Sequence, residues 1–233
     1  MSANVKANIT HVIFDMDGLL LDTEKIYEQV YRGLVEKYGK TYPFELKVNC
    51  MGRKASEAAK VIIDHLSLPI SIEEWLEVSQ KAVLEKFADA KLLPGVDKLI
   101  RHLHKHAIPI AVATGSSSTN LKVKATHHGE FFSLFHHILC SGDDPEVKRG
   151  KPNPDIFQIA ASRFNGETPS PEKVLVFEDS FLGVEAAKAA GMHCVMVPDT
   201  RLDRKYTKSA TVVLDSIEDL CLTDWGLPSF TDT

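Results

Sequence analysis

Six short apolar stretches rich in β-branched residues restrict this chain more than any other feature: Thr10 to Phe14, Ile108 to Ala113, His137 to Cys140, Val174 to Phe177, His193 to Val197 and Thr211 to Leu214. Stretches this short and this continuous read as strands buried on both faces. From Val96 onward they alternate with segments of helical spacing, Val96 to His106, Pro154 to Phe164 and Gly183 to Ala190. Parallel strands need long crossovers, and the crossover helices cover both sheet faces, so this alternation is the rhythm of βα units. The expected class is α/β with a parallel sheet.

Between Thr23 and about Ala90 the rhythm stops. Three amphipathic stretches near Glu24 to Lys37, Ala55 to Leu66 and Ile72 to Phe87 predict a small helical domain inserted after the first strand. The expected division is a core of residues 1–22 and 91–233 and a helical cap of residues 23–90. Leu20 to Thr23 and Lys91 to Gly95 would be linkers able to hinge. A chain of 233 residues can hold such a core with an insert.

The 27 basic and 32 acidic residues leave a net charge of −5. That balance supplies no basic face for nucleic acid, so no nucleic-acid partner is expected and an anionic ligand must be held by local charge. No apolar stretch approaches the roughly 20 residues of a membrane helix, and Met1 to Thr10 is polar. The expectation is a cytoplasmic, monomeric protein without a membrane partner. Cys50, Cys140, Cys194 and Cys221 lie far apart with no C-x-x-C pair and read as reduced core thiols. His102, His104 and His106 alternate along a helix end and do not read as a shared metal face.

Ligands of open parallel sheets collect beyond the carboxyl ends of the strands. Asp15-Met16-Asp17-Gly18 follows the first strand and Thr114-Gly115-Ser116 the second; Gly150-Lys151-Pro152 comes later, and Glu178-Asp179-Ser180 follows Val174 to Phe177. Asp15 and Asp17 are two apart at a strand end, so both carboxylates can face one side. Alone, the same residues could equally be turn formers. The second acidic pair, Glu178-Asp179, changes the balance, because converging carboxylates repel unless a cation sits among them. Oxygen donors without a Cys or His cluster select Mg²⁺. Lys151 offers a point charge to a phosphate oxygen, and Thr114-Gly115-Ser116 offers a hydroxyl and backbone N–H groups. In the predicted cap, Cys50-Met51-Gly52-Arg53-Lys54 is a loop leading into a helix, with Arg53 and Lys54 as candidate contacts to a leaving group.

Asp15-Met16-Asp17-Gly18 with Asp22-Thr23, then Thr114, Lys151 and Glu178-Asp179, resembles in order the four motifs of the haloacid dehalogenase (HAD) superfamily, with the helical insert as its cap. The resemblance implies a Rossmann-like core and a phosphatase using Mg²⁺. Asp15 would be the nucleophile, Asp17 the general acid and base, and Thr114 and Lys151 the phosphate binders. The metal site would draw on Asp15, Asp17, Glu178 and Asp179, and Gly18, Gly115 and Ser116 would approach the substrate. Asp17 would have to be protonated when it donates to the leaving alkoxide, so its neighbours are expected to raise its proton affinity.

FDMDGLLLDTE, MGRKASEAA and GDDPEVKRGKP are most similar to the eukaryotic pseudouridine-5'-phosphatase branch, and plant glycerol-3-phosphatases are similar in the same segments. β-Phosphoglucomutases carry a His where this chain has Tyr27, which weighs against a mutase. A silent phospholigand-binding protein on the same fold is the reading outside enzymes. The substrate class implied is a small phosphorylated metabolite.

Overall fold

A computed structural model describes residues 7–230. The first six residues of the polar N-terminal stretch, and of the expected core, lie outside it. Six strands, β1 (His11–Phe14), β2 (Ile110–Thr114), β3 (His137–Cys140), β4 (Val174–Glu178), β5 (His193–Met196) and β6 (Val212–Val213), form one parallel sheet in the order β3-β2-β1-β4-β5-β6. The apolar stretches sit where expected, with ends shifted by one or two residues. Pro109 has no N–H to pair, so β2 begins at Ile110, and the Pro109 carbonyl accepts from the Val12 amide.

Side-chain alternation splits the core into two layers. Val12, Phe14, Val112, Phe177 and Val195 pack with Leu99, Leu103 and Trp225 on one face of the sheet. Ile13, Ala111, Val176 and Cys194 pack with Phe157, Val184 and Ala187 on the other. The first layer includes α5 (Val96–Lys105); the second includes α8 (Asp155–Ser162) and α9 (Phe181–Ala189). Two shorter helices, α6 (Ser118–Lys124) and α7 (Gly129–Phe132), lie between β2 and β3. They are too short for the periodicity that reveals longer helices.

The insert is helical: α1 (Glu24–Glu36), α2 (Phe44–Cys50), α3 (Ala55–Leu66) and α4 (Ile72–Phe87). Its own core joins Val35, Leu46, Ile62, Trp75 and Phe87. Helix α2 is not legible in the sequence, since seven residues give barely two turns of pattern; Cys50 accordingly ends a helix rather than starting a loop. The two linkers run side by side: the Asp22 amide donates to Lys91 O (2.9 Å) and the Leu93 amide to Leu20 O (3.0 Å). Three of the cysteines are buried thiols, but Cys221 is exposed, because it precedes a surface 3-10 turn. His102 and His106 do share a face, one helical turn apart, with ring centroids at 4.3 Å; His102 Nε2–H donates to the Pro228 carbonyl. Among the described residues no helix is long and apolar enough to cross a membrane.

Candidate active site

The Asp15 amide donates to Phe177 O, which holds the first acidic residue beside the end of β4, where Glu178 and Asp179 begin. The turn then closes through the Gly18 amide on Leu21 O (2.8 Å). Gly18 has φ +83°, and a Cβ there would collide with the Asp179 carboxylate and Glu24. The glycine is therefore required both by its backbone and by the approach of two carboxyl side chains.

Lys151 crosses to this edge and is buried. Its Nζ donates to Asp15 Oδ1 at 2.5 Å and also to Glu178 Oε1. Burial opposes the charged amine, yet the two carboxylates outweigh it and hold Lys151 protonated. The second Glu178 oxygen accepts from the Asp179 and Ser180 amides and from Ser180 Oγ at 2.9 Å. Both oxygens of Glu178 are thus engaged in fixing Lys151 and the start of α9.

Asp179 differs. Among the described residues no donor pairs with its carboxylate, and burial with the charges of Glu178, Asp15 and Glu24 pushes its proton affinity well up. Burial likewise raises Asp15 and Glu24 to about 7, with neighbouring carboxylates adding to it and lysines opposing. Hard oxygens with excess negative charge have the chemistry that a divalent cation such as Mg²⁺ would neutralise, and Asp15 and Asp179 would be its side-chain donors, although no group of three or more acidic, His or Cys side chains is gathered as a metal site among the described residues.

Asp17 lies in a separate pocket of donors. Its carboxylate accepts from Thr23 Oγ1 (2.6 Å), Thr114 Oγ1 (3.1 Å), Ser116 Oγ (2.9 Å) and Lys124 Nζ. Burial would raise its proton affinity, but Lys124 and the hydroxyls overcome that and lower it. This corrects the expectation of a raised Asp17: its four donors all stabilise the anion. Its charge still reaches the neighbouring carboxylates, adding to the raised proton affinity of Asp15 and Glu24.

Thr114 and Ser116 stand at the end of β2, both buried. Of the expected amides, that of Ser116 is spent on Thr114 Oγ1 at 3.1 Å, and beyond the motif the Ser118 amide is taken by Asp143. Gly115 lies under the cap: a Cβ there would sit 3.2 Å from Arg53 O. Arg53 and Lys54 both line the cavity beneath the cap. Arg53 Nε donates to Asn49 O (2.7 Å), and Lys54 Nζ donates to Val147 O (3.0 Å), which pins the cap loop to the core.

That cavity measures about 320 Å³ and reaches from Asp15 and Asp17 up between the cap helices, past Tyr27, Tyr31, Tyr42, Leu76 and Gln80. On the opposite rim, Lys47 of the cap meets Glu28 (3.1 Å) and Asp199 of the core (3.3 Å), and Arg201 meets Glu28 and Asp199 in turn. Sequence reasoning missed these residues, together with Glu24 and Lys124, and named Thr23 only as part of the first motif, without a role. Lys124 alone left a trace: three residues after Leu121, it occupies the inward stripe of its helix, where a charge needs a partner.

Comparison with known proteins agrees with this geometry. A family model described as haloacid dehalogenase-like hydrolase matches residues 9–191. A probable pseudouridine-5'-phosphatase of Drosophila melanogaster is 46% identical over 100% of both chains. The (DL)-glycerol-3-phosphatase 1, mitochondrial, of Arabidopsis thaliana is 48% identical over 98% of this chain and 77% of its own length. The crystal structure of CbbY from Rhodobacter sphaeroides in complex with phosphate superposes with a TM-score of 0.77 at 26% identity, covering 94% of this chain and 100% of that one. With the four motifs converging on one sheet edge beneath a helical cap, this chain belongs to the haloacid dehalogenase-like hydrolases, as a phosphatase of that family.

Proposed function

We propose that the protein hydrolyses the phosphomonoester of a small metabolite, pseudouridine 5'-monophosphate, through an aspartyl-phosphate on Asp15. The observation that carries the reading is a buried Asp15 carboxylate, 2.5 Å from Lys151 Nζ, at the floor of a capped cavity. Asp15 attacks phosphorus and the ester P–O bond breaks; Asp17, which must enter the cycle protonated against the pull of Lys124, gives the leaving alkoxide its proton; water then attacks the phosphoenzyme, Asp17 takes that proton and is restored, and Asp15 is released. Lys151 offsets the repulsion between the Asp15 carboxylate and the phosphate. A Mg²⁺ ion held by Asp15 and Asp179 supplies, when bound, further neutralisation of the phosphoryl oxygens. Thr114, Ser116 and the Gly115 backbone flank the phosphate, and Glu178 keeps Lys151 in place.

The cavity supports the choice of leaving group. Its volume of about 320 Å³ falls in the range of small-molecule sites. Its tyrosine and leucine faces with polar edges suit a flat ring with hydroxyl groups better than three-carbon glycerol. The Drosophila relative, matched over its full length, supports the same reading. Tyr27, in place of the mutase histidine, gives its hydroxyl to Lys124 as acceptor, which favours transfer of phosphate to water. The enzyme would work as a cytoplasmic monomer, without nucleic acid or membrane.

The test is phosphate release with Mg²⁺ from pseudouridine 5'-monophosphate, uridine 5'-monophosphate, glycerol 3-phosphate and glucose phosphates. The expected kcat/KM preference for the first is about 100-fold, or about 2.7 kcal/mol of differential transition-state binding. A glycerol 3-phosphate preference refutes the substrate and leaves the chemistry. Normal turnover by Asp15→Asn refutes the nucleophile.

A further inference from the structure

Lys124 has no part in the reaction as written above, yet it is completely buried at the junction of core and cap. It comes from α6 of the core. Its ammonium donates to Asp17 and Ser116 Oγ (2.8 Å), both core residues, and to Tyr27 OH (3.3 Å) of the cap. It also lies 4.3 Å from the ring centroid of Phe87 and 5.2 Å from that of Tyr27, the two cap aromatics that enclose it. Asp17 is its one carboxylate partner among the described residues. Asp17, Tyr27 and Ser116 line the cavity, whereas Lys124 does not.

A buried ammonium is tolerated only where acceptors and counter-charge are all in place. Here half of that environment belongs to the core and half to the cap. Withdrawing the cap would strip Lys124 of Tyr27 and Phe87 and leave its pairing with Asp17 open to water. The position of the Asp17 carboxylate therefore depends on the seating of the cap, through a side chain that never meets the substrate.

We propose that Lys124 is a positioning residue that fixes the Asp17 carboxylate against the seated cap, so that proton transfer by Asp17 proceeds only in the closed enzyme. The proposal rests on the assignment of Asp17 as the acid and base. In the second half-reaction, water oxygen bonds to phosphorus, the P–O bond to Asp15 breaks, and the water proton passes to Asp17. Every substrate needs that step. The first half-reaction needs Asp17 only when the leaving group must be protonated, and a p-nitrophenolate leaves without a proton.

The experiment follows p-nitrophenyl phosphate hydrolysis with Mg²⁺ in a rapid-mixing instrument, for wild type, Asp17→Asn, Lys124→Met and Tyr27→Phe. Lys124→Met should give a stoichiometric burst of p-nitrophenolate within about threefold of the wild-type rate, then steady-state turnover lowered about 100-fold, the scale of general acid–base catalysis. The phosphorylated Asp15 should accumulate as a mass increase of the intact protein. Tyr27→Phe, which keeps the ring and removes one Lys124 partner, should show the same pattern with a smaller loss, and it decides the matter if Lys124→Met does not fold. Equal loss of burst and steady state denotes a structural role and overturns the proposal. So does wild-type behaviour of Lys124→Met alongside a burst pattern in Asp17→Asn, which leaves the proposed function standing. If Asp17→Asn itself lacks the pattern, the acid–base assignment falls and the proposal falls with it.

Discussion

Replacing Gly183 by alanine puts two effects of opposite sign in competition. Gly183 lies in the first turn of α9, where alanine is favoured over glycine by about 1 kcal/mol in helix propensity. A Cβ at this position, however, would fall well inside 3.0 Å of the Glu178 carboxyl group. Glu178 is fully buried, accepts from Lys151, Asp179 and Ser180, and has no room to turn. Overpacking of this kind costs about 1–3 kcal/mol, and driving one partner from a buried ion pair costs about 3–5 kcal/mol. Against the helix gain, the net expectation is a loss of about 3–7 kcal/mol. For a chain of this length that lowers Tm by on the order of 10–20 °C. Differential scanning calorimetry reads the loss, and phosphate release should fall with it, because Lys151 loses its orientation. A Gly183→Ala protein with Tm and turnover equal to or above wild type would refute the packing argument and leave helix propensity in command.

Other perturbations test other parts of the molecule. Asp15 and Glu24 have folded-state values raised to about 7, so without a divalent cation their contribution to stability is intact below the ordinary carboxylate range and is lost as pH rises through 7. Mg²⁺ should then raise Tm more at pH 8 than at pH 5; equal shifts at both would count against a cation among these carboxylates. Glu28 is depressed to about 2, chiefly by its hydrogen bonds from Arg201, so its contribution is present above the ordinary range and lost as pH falls through 2. Arg201→Ala should therefore move acid unfolding, followed by circular dichroism, to higher pH, and an unchanged midpoint would show that this cap–core bridge contributes nothing. Trp75→Ala removes the largest side chain of the cap core and should cost about 3–5 kcal/mol in urea unfolding, whereas a cost below about 1 kcal/mol would mean that the cap repacks freely.

Strands and long helices were legible because hydrophobic period reports which faces are covered, and α3 and α4 have the ends that Ala55 to Leu66 and Ile72 to Phe87 suggested. Helices of seven residues or fewer, α2, α6 and α7, were not, since their pattern is shorter than the window that would distinguish it. Asp15, Asp17, Thr114, Lys151 and Asp179 were found because each follows a strand or rigid turn at the sheet edge where parallel topology collects ligands. Lys47 and Asp199, 152 positions apart, meet by folding alone, and no local signal joins them.

The sequence by itself determined the parallel α/β core, the helical insert, and which carboxylates and lysine meet at one edge, because strand positions and side-chain alternation are written locally. Only the tertiary structure divided their roles. Glu178 is consumed by Lys151 and backbone amides, Asp179 is left without a donor among the described residues, and Asp17 is turned into a nest of hydroxyls with a lysine that the cap encloses. Those differences come from burial and from which donors lie within hydrogen-bond reach, and both are properties of packing between segments distant in the chain. Gly183 makes the same point in one residue: the sequence reads it as part of an ordinary helix, and the packing makes it the space in which a carboxylate sits.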